Sequence, residues 1–301
     1  MANLYDYQSS NIYRTWLLFF VFFAVVAGIG WMFSYIYNDY SIVIFAVIFS
    51  IIYSFISYYY SAGIALSMAR AEQIEKKDNP ILWNAVENLC IGAGIPMPAV
   101  YITQEQQINA FATGRDPKHA AIAVTQGALA RLDKTELQGV LAHELSHVRN
   151  RDILVSTVAA VLAGIISLIA DIFLHSLFWG GMGRRDNNDK EGEGLFIFAI
   201  VLSILAPIGT MLIQLAISRR RESLADASGV LLTRYPEGLI SALRKIEQDN
   251  VPMASARDST AHLWIDNPFK GQQISWWHKL FMTHPPIEER IAALEKPARI
   301  S

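Results

Sequence analysis

The sequence predicts a mainly α-helical membrane protein: four transmembrane helices joined to a cytoplasmic domain that is itself mostly helical and carries a small β-sheet. Three observations lead there. The chain has 301 residues, 52% of them hydrophobic and only 17% charged, which is too apolar for an ordinary soluble domain of this length. The apolar residues collect in uncharged windows of about 20 or more, the length a helix needs to cross a bilayer core. The remaining cations gather on one side of those windows, which fixes an orientation.

The first two windows form an N-terminal anchor, residues 1–66. No charge falls between Arg14 and Asp39, or between Asp39 and Arg70. Helices over about 15–36 and 41–63, joined by the turn Tyr37-Asn38-Asp39-Tyr40, follow from this pattern. The first is not a cleavable signal: its flank carries one Arg, the apolar stretch is too long, and no small-residue cleavage site follows.

Residues 67–152 read as the first part of a soluble domain. Ala99–Thr103 and Ala120–Thr125 are short, β-branched and bounded by turn residues, so they read as strands. A helix follows, in which Leu137, Val140, Leu141, Leu145 and Val148 recur at helical spacing. Thr135 is its expected N-cap, with Gln138 closing a capping box, and Arg149 and Arg151 suit its C-terminal end.

Residues 153–218 read as a second hairpin, about 153–178 and 195–217, around the Gly-, Asn- and charge-rich loop Gly180–Gly194. Long helices buried in a protein core would share this composition; the solvated loop favours the membrane hairpin. Residues 219–301 complete the soluble domain. With four spans, the N-terminus, residues 61–152 and residues 219–301 share one side, together with Arg14, Arg70, Arg149, Arg151 and Arg219–Arg221. The positive-inside rule puts that side in the cytoplasm. Cys90 is the only cysteine, so no disulfide forms within the chain. A net charge of −2 argues against a nucleic-acid partner.

The chemistry is concentrated at residues 143–147, His-Glu-Leu-Ser-His. On a helix His143 and His147 stand one turn apart on one face, so both imidazoles reach a single metal ion. Glu144 is rotated off that face and addresses a water beside the metal without ligating it. An amphipathic helix with incidental histidines is the plain alternative. A third ligand is needed for a catalytic zinc, and Glu222 in Ser218-Arg-Arg-Arg-Glu-Ser-Leu-Ala-Asp226 is the candidate, since a hairpin returns it to the side of the histidines. Asp226, one turn on, can accept the free N–H of a ligating histidine. A charged stop-transfer flank is the plain reading of the same stretch.

Taken together the blocks resemble the M48 family of membrane-bound zinc metallopeptidases and, within it, the HtpX-type heat-shock proteases of bacterial membranes. The likeness rests on two N-terminal spans, Gln107-Ile-Asn-Ala-Phe-Ala-Thr-Gly114, Leu141-Ala-His-Glu-Leu-Ser-His-Val148, Ser218–Asp226 and Thr283-His-Pro-Pro-Ile-Glu-Glu-Arg290. It implies a zincin-like catalytic domain, one Zn²⁺ per chain held by His143, His147 and Glu222, and Glu144 as general base. It also implies substrate binding along Asn109, Ala110 and Phe111, where an extended edge would accept a peptide strand; a hairpin turn using Asn109 and Gly114 is the bland alternative. His284, held before Pro285 and Pro286, is in a place to stabilise an oxyanion or to serve as a local cap. Arg290 is open between a partner near Glu222 and Glu289. His119, His175, His262 and His278 lack partner spacing and read as surface or interfacial.

The reading that follows is a multi-pass endopeptidase of the bacterial cytoplasmic membrane, cutting damaged or misfolded membrane proteins on the cytoplasmic side. Its partners are protein substrates and the lipid bilayer. Two rivals are a prenyl-protein protease of the CAAX type, whose relatives have more spans, and an inactive zinc-binding scaffold, for which Glu144 would have no use.

Overall fold

The computed structural model describes residues 4–180, 219–270 and 285–295. Helix α1 runs Leu4–Tyr37 and α2 runs Ser41–Met68, with Asn38 in the left-handed region (φ 51°) turning the chain between them. Both are long and apolar enough to cross a membrane, over Ser10–Tyr35 and Ser41–Met68. Their outward faces bear Trp16, Phe20, Trp31, Phe45, Ile48, Ile51 and Phe55, all exposed. Large apolar side chains in that density would be a liability in water and are ordinary in lipid. The inward face of α2 carries Ser50, Ser57 and Ser61, small enough for close helix packing.

Beyond α2 the chain continues with β1 (Glu72–Gln73) and α3 (Pro80–Ala93). Asn79 caps α3 by accepting from the Leu82 N–H, Pro80 fills its first turn, and Gly94 ends it at φ 68°. Strands β2 (Ala99–Thr103), β3 (Ala110–Gly114) and β4 (Ala120–Thr125) then complete a four-stranded mixed sheet of order β1-β2-β4-β3. Strand β2 runs parallel to β4, and β3 runs antiparallel to β4 at the sheet's edge. The expected strands at 99–103 and 120–125 are present with those bounds. The two-residue β1 had no signal beyond its own brevity.

A short helix α4 (Gln126–Arg131) leads to α5 (Lys134–Arg149), the helix of the His-Glu-Leu-Ser-His segment. Its N-terminus corrects the expectation. Asp133, not Thr135, is the N-cap: its Oδ1 accepts from the N–H of Thr135 and Glu136, and Glu136 Oε2 accepts from the Asp133 N–H. Thr135 already lies inside the first turn, so Gln138 has no cap to complete. Glu136 is locked further by Ser241 and Lys245 of α8 (Pro236–Gln248). The core is formed by α3, the sheet, α5 and α8, through Leu82, Val86, Val100, Ile122, Val124, Leu141, Leu145 and Ile246.

Helix α5 ends at a sharp corner. Arg151 adopts φ 59° and α6 (Ile153–Gly180) departs at 88° to α5. The first half of α6 packs between α1 and α2, with Val155, Val158, Leu162 and Ile166 against Leu18 and Phe22. The expected third span is therefore a helix lying with the two N-terminal ones; the expected fourth, 195–217, lies outside the described residues. Helix α7 (Arg219–Thr233) returns to pack along α5, and α9 (Ile287–Glu295) closes against α8. Gly229 of α7 permits that return: a Cβ there would stand 3.0 Å from the His143 backbone nitrogen. Backbone cannot give way as a flexible side chain does. Gly229→Val should therefore cost about 1–3 kcal/mol and push α7 away from α5, read as a lower melting temperature.

Candidate metal centre

Three side chains from two distant segments of the chain point their ligand atoms at one spot. His143 and His147 come from one face of α5, and their Nε2 atoms lie 3.2 Å apart. Glu222, in the first turn of α7, puts Oε2 at 3.7 Å from His143 Nε2 and Oε1 at 3.6 Å from His147 Nε2. Metal–ligand bonds of about 2.0–2.2 Å in a tetrahedron separate ligand atoms by roughly 3.3–3.6 Å. The triangle thus fits a zinc-sized cation, with three ligands supplied among the described residues.

Each histidine is oriented from behind. His143 Nδ1 lies 2.8 Å from Asp226 Oδ1, so an Nδ1–H donated there leaves Nε2 free to ligate. Asp226 is in turn gripped in a fork by Arg290, whose Nε and Nη2 donate at 2.9 and 2.7 Å. This settles the partner of Arg290, which also donates to the Ile265 carbonyl. His147 has its own carboxylate, one the sequence reading missed: Asp152 Oδ2, 3.2 Å from His147 Nδ1. The left-handed Arg151 swings the chain back so that the Asp152 N–H donates to the His147 carbonyl while its carboxylate meets the ring. The only advance signal was an acidic residue just past the helix, which is too common to single out.

Glu144 is buried beside the histidines but outside the ligand triangle. Its Oε2 accepts the Ala112 N–H at 2.9 Å. A cavity of about 30 Å³ opens here, lined by Ala112, Glu144, His147, Glu222, His262 and Leu263, enough for a water and too little for a peptide. His262 corrects an expectation. It is buried, with Nε2 donating to the Ser156 carbonyl at 2.9 Å, rather than at the surface. His119 is exposed and pairs with Asp116. His284 and His278 lie outside the described residues, as does the side chain of His175.

Asn109, Ala110 and Phe111 precede Ala112, which lines this cavity, but none of the three lines it and all are buried. The Asn109 amide bonds Gln107 and both backbone groups of Asp266. Phe111 meets Trp264 edge-on at 4.6 Å between ring centres. Because Asn109 O accepts from Thr125 N of the neighbouring strand, alternate residues Ala110 and Ala112 turn their backbone groups outward. Ala110 O is taken by the Ile265 N–H, and Ala112 faces Glu144.

Burial and charge set the protonation of the centre. Burial, then the Arg290 guanidinium, pushes His143 down to about 4 against the pull of Asp226. For His147 burial pulls down too, but the Glu222 carboxylate, then Asp152 and Glu144, lift it from 6.5 to about 9. A folded pKa above the unfolded one means that the proton's contribution to stability is whole below pH 6.5 and is lost as pH rises through about 9. A cation must displace that same proton. In protein stripped by chelator, zinc affinity should rise about tenfold per pH unit toward pH 9 and then level off. Calorimetry in buffers of different ionisation enthalpy would read one proton released near neutrality; none released would refute the assignment.

Comparison with known proteins gives a consistent picture. The profile described as Peptidase family M48 matches residues 76–298. A protease HtpX homolog of Tropheryma whipplei (strain TW08/27) is 46% identical over 97% of this chain and 98% of its own. One from Caldanaerobacter subterraneus subsp. tengcongensis is 46% identical over 97% of each chain. One from Streptococcus gordonii is 41% identical over 97% of this chain and 99% of its own.

Proposed function

The chain belongs to peptidase family M48 and is a membrane-bound metalloprotease, and from that premise we propose that its metal is one Zn²⁺ held by His143, His147 and Glu222. The observation that carries this is the triangle of ligand atoms, each 3.2–3.7 Å from the next. Bound there, zinc would lower the pKa of a water toward neutrality and polarise a peptide carbonyl. The protein's own residues do the rest. Glu144 takes the proton of the attacking water on its carboxylate and hands it to the leaving amine. Asp226 and Asp152 hold the two imidazoles in the tautomer that leaves Nε2 unprotonated. Burial of His143, Glu144 and Glu222 keeps bulk water from screening these charges.

Substrate lies along the outward edge of β3. Ala112 is the part of that edge that faces Glu144, so an extended peptide pairing with its backbone would bring a carbonyl to the general base. Asn109 and Phe111 shape the edge through the loop they hold, and Ala110 joins the pairing when Ile265 yields its carbonyl. His284, on the approach to α9, is proposed to steady the oxyanion.

The catalytic domain is assembled from residues 67–152 and 219–301 around a membrane hairpin, 153–218, and faces the cytoplasm of a bacterial inner membrane. Substrates are damaged or misfolded membrane proteins cut on that side. An experiment tests this directly: purified protein is stripped, returned to zinc and incorporated into vesicles of known orientation, then given an unfolded membrane-protein fragment from outside. Cleavage should occur only with zinc and only where the domain faces outward. Glu222→Ala should fail to retain zinc through dialysis; full zinc retention by that variant would remove the third ligand.

A further inference from the structure

The anchor helix reaches into the metal centre. Asn11 lies on α1, at the very start of the apolar stretch Ser10–Tyr35, yet is only 4% exposed. Its Nδ2 donates to Asp152 Oδ1 at 2.7 Å, and its Oδ1 accepts from Arg221 Nη1 at 3.1 Å. Asp152 uses its other oxygen on His147, and Arg221 is the residue before Glu222. Asn11 therefore touches, through one intermediary each, two of the three proposed ligands. Its partners fix which end of the amide is which, since a carboxylate only accepts and a guanidinium only donates.

We infer that Asn11 is a positioning residue of the catalytic centre: its amide clamps Asp152 and Arg221, so that helix α1 orders His147 and Glu222 as well as anchoring the chain. Three features carry this. The amide is the neutral group that can serve an anion and a cation at once; Asp would repel Asp152, and Ala or Leu would serve neither. Asn11 and both its partners, Asp152 and Arg221, are buried, so water does not substitute cheaply for a lost bond. The Thr15 hydroxyl donates to the Asn11 carbonyl, tying down this turn of α1 where the apolar stretch begins. A soluble domain alone would then hold its zinc less well than the whole chain.

The inference rests on the zinc reading above, and the test separates the two. Full-length protein in detergent is compared as wild type, Asn11→Ala, Asn11→Asp, Tyr13→Ala and His147→Ala. Tyr13 is on the same helix and exposed. Zinc affinity is read by chelator competition, ligand geometry by the visible spectrum of the Co²⁺ form, and kcat and KM separately. Both Asn11 variants should bind zinc about tenfold more weakly, shift the Co²⁺ spectrum and lower kcat with KM unchanged, while Tyr13→Ala matches wild type. Asn11→Asp keeps the volume and the Arg221 bond, so it reports even if Asn11→Ala fails to fold. Wild-type affinity and spectrum in both Asn11 variants, with His147→Ala deficient in zinc, would overturn the role of Asn11 alone. Wild-type zinc affinity in His147→Ala would overturn the metal centre and this inference together.

Discussion

Glu144→Gln is expected to bind zinc at wild-type stoichiometry and to cleave peptide bonds about a thousandfold more slowly, within the range a positioned general acid–base group supplies. The substitution isolates proton transfer. Glutamine keeps the volume of the side chain, and its amide oxygen still accepts the Ala112 N–H that Glu144 accepts at 2.9 Å. What it loses is the negative charge and the capacity to take and return a proton. Glu144 is one residue from His143, so the helix turns it about 100° off the ligand face, onto the cavity wall. Metal retention follows from its exclusion from the ligand triangle. Single-turnover cleavage with metal analysis of the same sample reads both halves. A wild-type rate would take Glu144 out of the chemistry; loss of zinc would make it a ligand.

Asp226→Ala should destabilise the folded protein by about 3–5 kcal/mol, the usual cost of stranding one member of a buried ion pair. Arg290 is 3% exposed and directs two donors at Asp226. Without the carboxylate its charge has no equivalent partner, and His143 loses the acceptor at Nδ1. Burial on its own would raise the Asp226 carboxyl, but Arg290 and then His143 outweigh it and hold the group far below the ordinary carboxylate range. Its contribution is therefore whole above the unfolded value of 3.8 and is lost only in stronger acid. The companion double variant, Asp226→Leu with Arg290→Met, should recover much of the stability, because replacing both charges leaves none unpaired. It should not recover activity, since His143 stays without its orienting carboxylate. Denaturant unfolding of the two variants decides the matter: equal stability of wild type and Asp226→Ala would mean that the pair is ornamental.

What could be read in advance was what neighbours in sequence settle among themselves. The strands at 99–103 and 120–125 follow from short β-branched runs between turn residues, the helix bearing His143 and His147 from side-chain periodicity, and the first two spans from uncharged length. Glu222 and Asp226 could be nominated because they fall one turn apart on a helix beginning where a hairpin must return. Even local reading erred where two caps compete: Asp133 and Thr135 both suit an N-terminus, and the choice went to Asp133 because Glu136, fastened to Lys245 and Ser241 of a distant helix, completes its box.

The rest required the chain to close on itself. Asp152 reaches His147 only because Arg151 bends the backbone through a left-handed turn. His262 looked like a surface residue until the short helical turn Ala261–Leu263 laid it against Ser156 of α6. Asn11 meets Asp152 across 141 positions and Arg221 across 210. Periodicity and capping are decided by groups within four residues of one another, whose geometry the backbone itself imposes. Which distant carboxylate, amide or guanidinium fills a buried pocket is decided by helix packing and by the penalty for leaving a buried polar group unpaired, and neither leaves a mark on the linear order of residues.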